Sequence, residues 1–448
     1  MLKLNQNLKK DLTEILVNSF LKILLIFICL TSCSFNKNSK FWTKSEKIEK
    51  IKNVEEIFVK EKILNREFNP NLKISLYTKA IDKSFFNNYD NNNGRINYDG
   101  DLKSISRFKF SKIDNFYQYD PIILFDNSNV IFFDNKGTIL KFDQDSRLIW
   151  KKNYYSKSQK KQKPILLFGS NEKTLIVADN IAKYYALDIN TGELLWSKNN
   201  VVPFNSQLKT YKNKFFIIDF ENTLRSYSIK NGAEIWNIRT ENSLIRSQKK
   251  LSMVILNKKI YFNNSLGDLS AVDIESGELL WQSPTQSSLV YIDGFFLKTS
   301  DIIADKNNLY FSNNKNEFFS IDINNGTLNW KQKINSNLRP TLIDNYIFTV
   351  SLEGYLIVME KLSGNIIRST DIFKNFKPKK RSKIQPVGFI VGVNNIYLTT
   401  DNGRLLVIDI TTGTTSSILK IDNDKISRPF VLNKNLYIIK DNSIIKLN

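Results

Sequence analysis

The 448-residue chain contains no histidine, and its two cysteines, Cys29 and Cys33, both stand near the amino end. The first absence removes Ser-His-Asp and Cys-His catalytic arrangements, His-ligated zinc and a histidine general base. The second leaves the body of the chain without a disulfide or a cysteine zinc site. With only 16 Gly and 9 Pro, the sequence is neither collagen-like nor a flexible linker. What is present is ample for folding. Hydrophobic residues make up 42% and aromatics 12%, enough to bury a core and to exclude wholesale disorder. The length exceeds one ordinary compact core, so the chain holds several domains or one domain of stacked units.

The amino end reads as an export signal. Lys3, Lys9 and Lys10 lead into the apolar run Ile23-Leu24-Leu25-Ile26-Phe27-Ile28-Cys29-Leu30. That run is short of the about 20 residues a membrane-spanning helix needs, and suits a signal-peptide core. Leu30-Thr31-Ser32-Cys33 then resembles a bacterial lipobox. In such a motif the cysteine is acylated and becomes the new first residue, and two or three acyl chains hold a protein where one would let go. Cys33 is therefore the expected lipidation site, residues 1–32 the signal peptide, and Ser34 after the cysteine points to outer-membrane sorting by resemblance to Gram-negative lipoproteins.

The formal charge of +21 falls to +19 once the four lysines and two acids of residues 1–32 are removed. A basic excess can serve nucleic acid, an anionic membrane or acidic partners. Export argues against nucleic acid, and the Lys, Asn and Ile preference throughout the chain makes part of the excess compositional. Residues 33–70 read as a tether, with apolar residues at 48, 51, 54 and 57 or 58 forming a narrow helical stripe. Residues 80–100 read as a polar loop.

From residue 119 a phrase recurs. Ala186-Leu187-Asp188-Ile189-Asn190-Thr191-Gly192-Glu193-Leu194-Leu195-Trp196 is matched by Ala271 to Trp281 and by Ser320 to Trp330. Variants end at Trp150 and Trp236, Gly232 holds the turn position in one of them, and eroded copies run from Gly364 to Arg368 and from Gly413 to Ser417. The seven end positions lie 46, 40, 45, 49, 38 and 49 residues apart. A period of 40–50 residues with several short alternating strands per unit is the pattern of a β-propeller blade. The second unit parses into strands at 164–168, 174–179, 182–188 and 193–198, with Asn190-Thr191-Gly192 as a hairpin turn. Asp188, Asp273, Asp322 and Asp409 read as turn residues accepting backbone N–H groups rather than as catalytic acids. Trp150, Trp196, Trp236, Trp281 and Trp330 are expected to pack against the neighbouring blade, and Gly192, Gly232, Gly277, Gly326, Gly364 and Gly413 to hold the turn position of each repeat.

After Ser417 three strands remain, at 429–432, 435–440 and 443–447. The expected fold is all-β: an eight-bladed propeller of four-stranded antiparallel blades over 71–448. Its last blade is a composite in which Leu72 to Lys79 supplies the missing strand, leaving no exposed edge at the seam. A seven-bladed ring follows if one eroded copy is an insertion.

The Ala-x-Asp-x-x-Thr-Gly-x-x-x-Trp phrase resembles the repeats of pyrroloquinoline-quinone (PQQ)-type propellers. Together with the lipobox, the tether, Phe68-Asn69-Pro70, the Leu436 to Ser443 ending and the long segment Gln282 to Asp301, it resembles the BamB-like lipoproteins of outer-membrane assembly. That resemblance implies a lipid-anchored, non-catalytic scaffold without cofactor or metal. Its partners would be a BamA-like barrel-assembly subunit and unfolded outer-membrane protein clients. It places docking on two loops, matched here by Leu244-Ile245-Arg246 and by Asp301. An arginine can fork onto a partner carboxylate while the adjacent aliphatic residues bury apolar area. Two rivals share the fold: a PQQ-dependent dehydrogenase, whose class implies a vicinal disulfide absent here, and a propeller that binds a ligand in its central channel.

Overall fold

The computed structural model describes residues 66–80, 95–114, 116–118, 120–240, 249–285 and 297–448. The signal peptide, Cys33, the striped segment at 48–58 and Leu244-Ile245-Arg246 lie outside the described residues. The chain forms eight four-stranded antiparallel sheets, seven of them from consecutive strands: blade 1 at 124–152, blade 2 at 166–199, blade 3 at 209–239, blade 4 at 253–283, blade 5 at 303–332, blade 6 at 341–371 and blade 7 at 386–420. The ring thus has eight blades, not seven. Blade 2 consists of Leu166–Ser170, Thr174–Asp179, Lys183–Asp188 and Leu194–Asn199, close to the strands read from the sequence.

Burial explains the patterning of each blade. The second and third strands are covered on both faces by neighbouring blades, so Thr174–Asp179 reads as an almost unbroken apolar run. The fourth strand is outermost: in Leu194–Asn199 only Trp196 is partly covered. In blades 1 to 7 the register between third and fourth strands shifts at the tryptophan position, as between Ala186↔Trp196 and Leu187↔Leu194. Such a bulge re-aims a side chain. Here it turns the ring toward the next blade.

The joints repeat one arrangement. Each turn glycine has positive φ and sits on the tryptophan of the preceding blade, so closely that a Cβ on Gly277 would lie 2.6 Å from the Trp236 ring. The indole N–H also donates to the carbonyl three residues before that glycine: Trp150 to Ile189 at 3.2 Å, Trp196 to Ile229 at 2.9 Å, Trp281 to Ile323 at 3.3 Å and Trp330 to Lys361 at 3.2 Å. Trp236 keeps the packing, but its N–H is buried without an acceptor among the described residues. At the next joint, Arg368 occupies the tryptophan position beneath Gly413. Its guanidinium donates to the equivalent carbonyl, Ile410, at 3.0 Å, and also to Thr411 and to Leu72. At the joint between blades 8 and 1, Lys446 donates to Gln144 at 3.1 Å. The eroded repeat that ends at Arg368 has therefore kept the donor and changed its chemistry.

The closing blade is a composite, but its N-terminal strand is Ser104–Lys109 rather than residues 72–79. It pairs with Ser443–Leu447 as the outermost strand, with Phe108 opposite Ile444. Both segments alternate in sequence, and burial separates them. Phe108 is wholly buried against Phe142 and Tyr437, whereas the 72–79 stretch buries Ile74 and leaves Tyr77 83% exposed. Residues 66–78 form a strap on the outside of blades 6 and 7. Phe68 bridges Ser369, Ile74 donates to the Thr411 carbonyl and enters the apolar slab between those blades, and the Tyr77 and Thr78 amides donate to Asp344.

Candidate docking face and channel mouth

In a ring of four-stranded antiparallel blades, every connection from an outermost strand to the next innermost strand emerges on the same face. The 240–252 connection carries Leu244-Ile245-Arg246, outside the described residues, and ends in Lys249 and Lys250. The 284–302 connection ends at Asp301. The described ends of these two connections, Lys249-Lys250 and Asp301, lead into the innermost strands of blades 4 and 5. Two short helices, Lys157–Lys161 and Pro378–Arg381, lie on other connections of the same face and are predominantly basic.

A serine sets the approach to the axis in three blades. Ser206, Ser300 and Ser427 are all but fully buried. Each hydroxyl accepts the amide of the residue twelve positions on, Ile218 at 2.8 Å, Ser312 at 2.9 Å and Ile439 at 2.9 Å. Each also donates to the carbonyl of the very next residue, Gln207, Asp301 or Arg428, at 2.8, 3.1 and 2.7 Å. With both hydroxyl capacities used, the backbone is fixed just before the innermost strand and the following residue is delivered to the channel. A charged or amide residue after a serine, shortly before a short apolar strand, was the available signal. It was missed because it lies outside the tryptophan phrase.

Asp301 is the hub at this mouth. Its carboxylate, 17% exposed, lies 3.3 Å from Arg339 Nε of blade 6 and 3.4 Å from Arg428 Nη1 of blade 8. Burial would raise its pKa, but Arg339 and Arg428, with Lys249 and Lys250 behind them, outweigh that and hold it down to about 2. The cations show the reciprocal effect. Burial, reinforced by Arg339 and Arg428 and opposed by Asp301, pushes Lys209 down to about 7. Burial brings Lys250 to about 8 against the pull of Asp120 and Asp301. Burial and Arg428 bring Arg339 to about 9. Lys250 Nζ reaches the Asp120 carbonyl at 3.4 Å, Lys425 pairs with the half-exposed Asp120 carboxylate at 3.0 Å, and Lys249 donates to the Asn337 carbonyl at 2.6 Å. These contacts join blade 4 to blades 1 and 6, and blade 8 to its neighbour blade 1, so the channel mouth is bridged between non-adjacent as well as adjacent blades.

The remaining carboxylates of interest are structural. Asp188 accepts the Asn190 and Thr191 amides at 2.9 and 2.8 Å, and Asp273 accepts those of Glu275 and Ser276 at 2.9 and 2.8 Å. These turn amides lower both pKa values, as expected for ionised caps. Asp322 and Asp409 serve their turns in the same way. Asp179, wholly buried, is raised by burial even though it accepts the Tyr155 hydroxyl at 2.5 Å. It also caps its own turn through the Ile181 and Lys183 amides.

Residues 135–370, slightly more than half of the chain, match the family model of the outer membrane protein assembly factor BamB. No curated protein matches the sequence. Among solved structures, BamB from Moraxella catarrhalis is similar at a TM-score of 0.63 and 14% identity, over 78% of this chain and 99% of that one. The quinohemoprotein alcohol dehydrogenase from Comamonas testosteroni is similar at a TM-score of 0.59 and 11% identity, over 79% of this chain and 78% of that one. The computationally designed Ika8 protein is similar at a TM-score of 0.56 and 13% identity, over 76% and 99%. At these identities the structural likenesses establish the propeller fold alone.

Proposed function

From the premise that the chain belongs to the BamB family of outer membrane protein assembly factors, we propose that it is a non-catalytic, lipid-anchored scaffold of outer-membrane assembly. Anchored through Cys33 at the periplasmic side of the outer membrane, it presents its connection-bearing face to a BamA-like barrel-assembly subunit. Leu244, Ile245 and Arg246 supply apolar area and a forked cation, and Asp301, held ionised by two arginines, fixes the second connection in place. The family match across blades 1 to 6 carries this reading. Unfolded clients would be met at the outermost strands, where Leu148-Ile149, Leu194-Leu195 and Leu279-Leu280 stand 41–55% exposed as repeated apolar pairs.

The PQQ-dependent dehydrogenase reading is less well supported. A carboxylate general base works best with a pKa near the working pH, and Asp301, held at about 2 by its arginines, is ionised but only weakly basic. The only two cysteines, at 29 and 33, cannot form a vicinal disulfide. Addition of PQQ and calcium, followed by absorbance and dye reduction, separates the two readings, because turnover would overturn the scaffold. For the scaffold itself, Arg246→Glu is expected to weaken capture of BamA-type periplasmic domains at an unchanged melting temperature. Cys33→Ala is expected to move the protein from washed membranes to the soluble fraction. Unchanged capture would remove the docking loop, and continued sedimentation would remove the anchor.

A further inference from the structure

Among the described residues the channel mouth holds more positive charge than its own carboxylates balance, and a partly apolar cavity lies beside it. Six cations, Lys209, Lys249, Lys250, Arg339, Lys425 and Arg428, gather around Asp120 and Asp301. The cavity encloses about 100 Å³ between the innermost strands of blades 1, 2 and 3, with Leu124, Phe125, Leu166, Phe168 and Leu208 among its walls and Lys209 and Lys250 at its polar end. An excess of fixed cations in a low-dielectric recess raises the local potential and attracts an anion. An apolar wall of this size excludes a strongly hydrated body and accepts a short alkyl chain or a single ring. A bare inorganic anion would use only the polar end, and a neutral apolar molecule only the walls.

We propose that the central channel is a binding site for a small organic carboxylate with an apolar body, its carboxylate taken by Lys209 and Lys250 and its body lying in the cavity of blades 1 to 3. This stands apart from docking, since none of the described residues that line the cavity is one of those expected to dock. Occupation would place negative charge among cations that the folded chain otherwise holds together at a cost, so the ligand would also stabilise the ring. The charged groups that act on these two lysines are Arg339, Arg428, Asp120 and Asp301. Lys209 and Lys250 gain protons as pH falls through about 7 and about 8, whereas the ligand's carboxylate stays ionised. Affinity is therefore expected to rise from pH 8.5 to pH 6.

The test is calorimetric titration of the full-length chain in detergent with benzoate and hexanoate. Benzyl alcohol, hexanol and inorganic phosphate serve as comparison probes, with micelles alone as the blank. Saturable binding of the carboxylates, tighter at pH 6, is expected to weaken by about tenfold or more in Lys209→Gln and in Lys250→Gln. Ser170→Leu, which fills the cavity without touching the charges, is expected to abolish binding while the protein still melts cooperatively. The proposal is overturned by no saturable binding of either carboxylate, by equal affinity for the alcohols or for phosphate, or by unchanged affinity in the two lysine variants.

Discussion

An indole that both fills space and donates to the next blade contributes two separable terms, ring burial and a hydrogen bond. The protein contains the comparison within itself. Trp196 donates to Ile229 at 2.9 Å, while the equivalent N–H of Trp236 is buried without an acceptor among the described residues. A formed hydrogen bond contributes about 1 kcal/mol, and an unmet buried donor costs a similar amount or more. Replacement by phenylalanine removes the donor from both sites and a comparable part of each ring. Trp196→Phe is therefore expected to destabilise by about 1–3 kcal/mol more than Trp236→Phe in denaturant unfolding. Equal losses would show that the indole donor contributes nothing at the joints. At this scale the repeat phrase made the tryptophans legible as interblade contacts and the glycines as turn residues. It did not reveal which glycine each tryptophan serves, because the partner lies one blade further on. It also made Arg368 look like erosion, since the carbonyl of Ile410 that it shares with the tryptophan series becomes visible only in three dimensions.

Strands Ser104–Lys109 and residues 66–78 reach the ring in different ways, and their removal should have different consequences. The strand closes blade 8: it satisfies the ladder of Ser443–Leu447 and seals Phe108 into the slab shared with blades 1 and 2. Without it, the last blade presents an unpaired edge and an open apolar face, both aggregation hazards. The strap bridges Ser369 at Phe68, buries Ile74, bonds to Thr411 and Asp344 and takes one bond from Arg368, but completes no sheet. A chain starting at Arg95 is therefore expected to stay monomeric and to melt cooperatively at a lower temperature. A chain starting at Lys112 is expected to aggregate or fail to fold. Size-exclusion chromatography with thermal melting checks both, and a soluble, cooperative Lys112 start would show that blade 8 closes without its N-terminal strand. The composite closure itself was legible, because three tail strands need a fourth. The choice of strand was not. Periodicity scores Leu72 to Lys79 and Ser104 to Lys109 alike, and only the depth of Phe108 distinguishes them.

Across the whole ring, the charges that share the axis come from blades 1, 3, 4, 5, 6 and 8, and nothing in the local sequence joins them. Asp301 stood out in the sequence through family resemblance, as an expected docking residue. Lys209, Arg339 and Arg428 did not, since each looks like one more cation in a chain of charge +21 until closure brings them together. Their crowding has a thermodynamic consequence whose sign can be worked out. Lys209 has a pKa of about 7 in the folded ring and Lys250 about 8, both below the value near 10.5 of an unfolded chain. Between those limits the unfolded state binds more protons than the folded one, so stability rises with pH across the window and falls as pH drops toward 7. Asp301 acts elsewhere: its pKa of about 2 lies below the unfolded value of 3.8, so its contribution is present above about pH 4 and is lost toward pH 2. The buried tyrosines, raised by burial as Tyr310 is, oppose stability only above pH 10. In denaturant titrations the protein is therefore expected to be more stable at pH 9.5 than at pH 7, by up to about 3 kcal/mol for one fully shifted lysine. Lys209→Met removes the group that prefers to be neutral inside. It is expected to raise stability at pH 7 and to flatten the slope between pH 7 and 9.5, leaving the residual slope to Lys250. A variant that loses stability at pH 7, or keeps the full slope, would mean that Lys209 is solvated at the axis and that the crowded mouth imposes no strain on the ring.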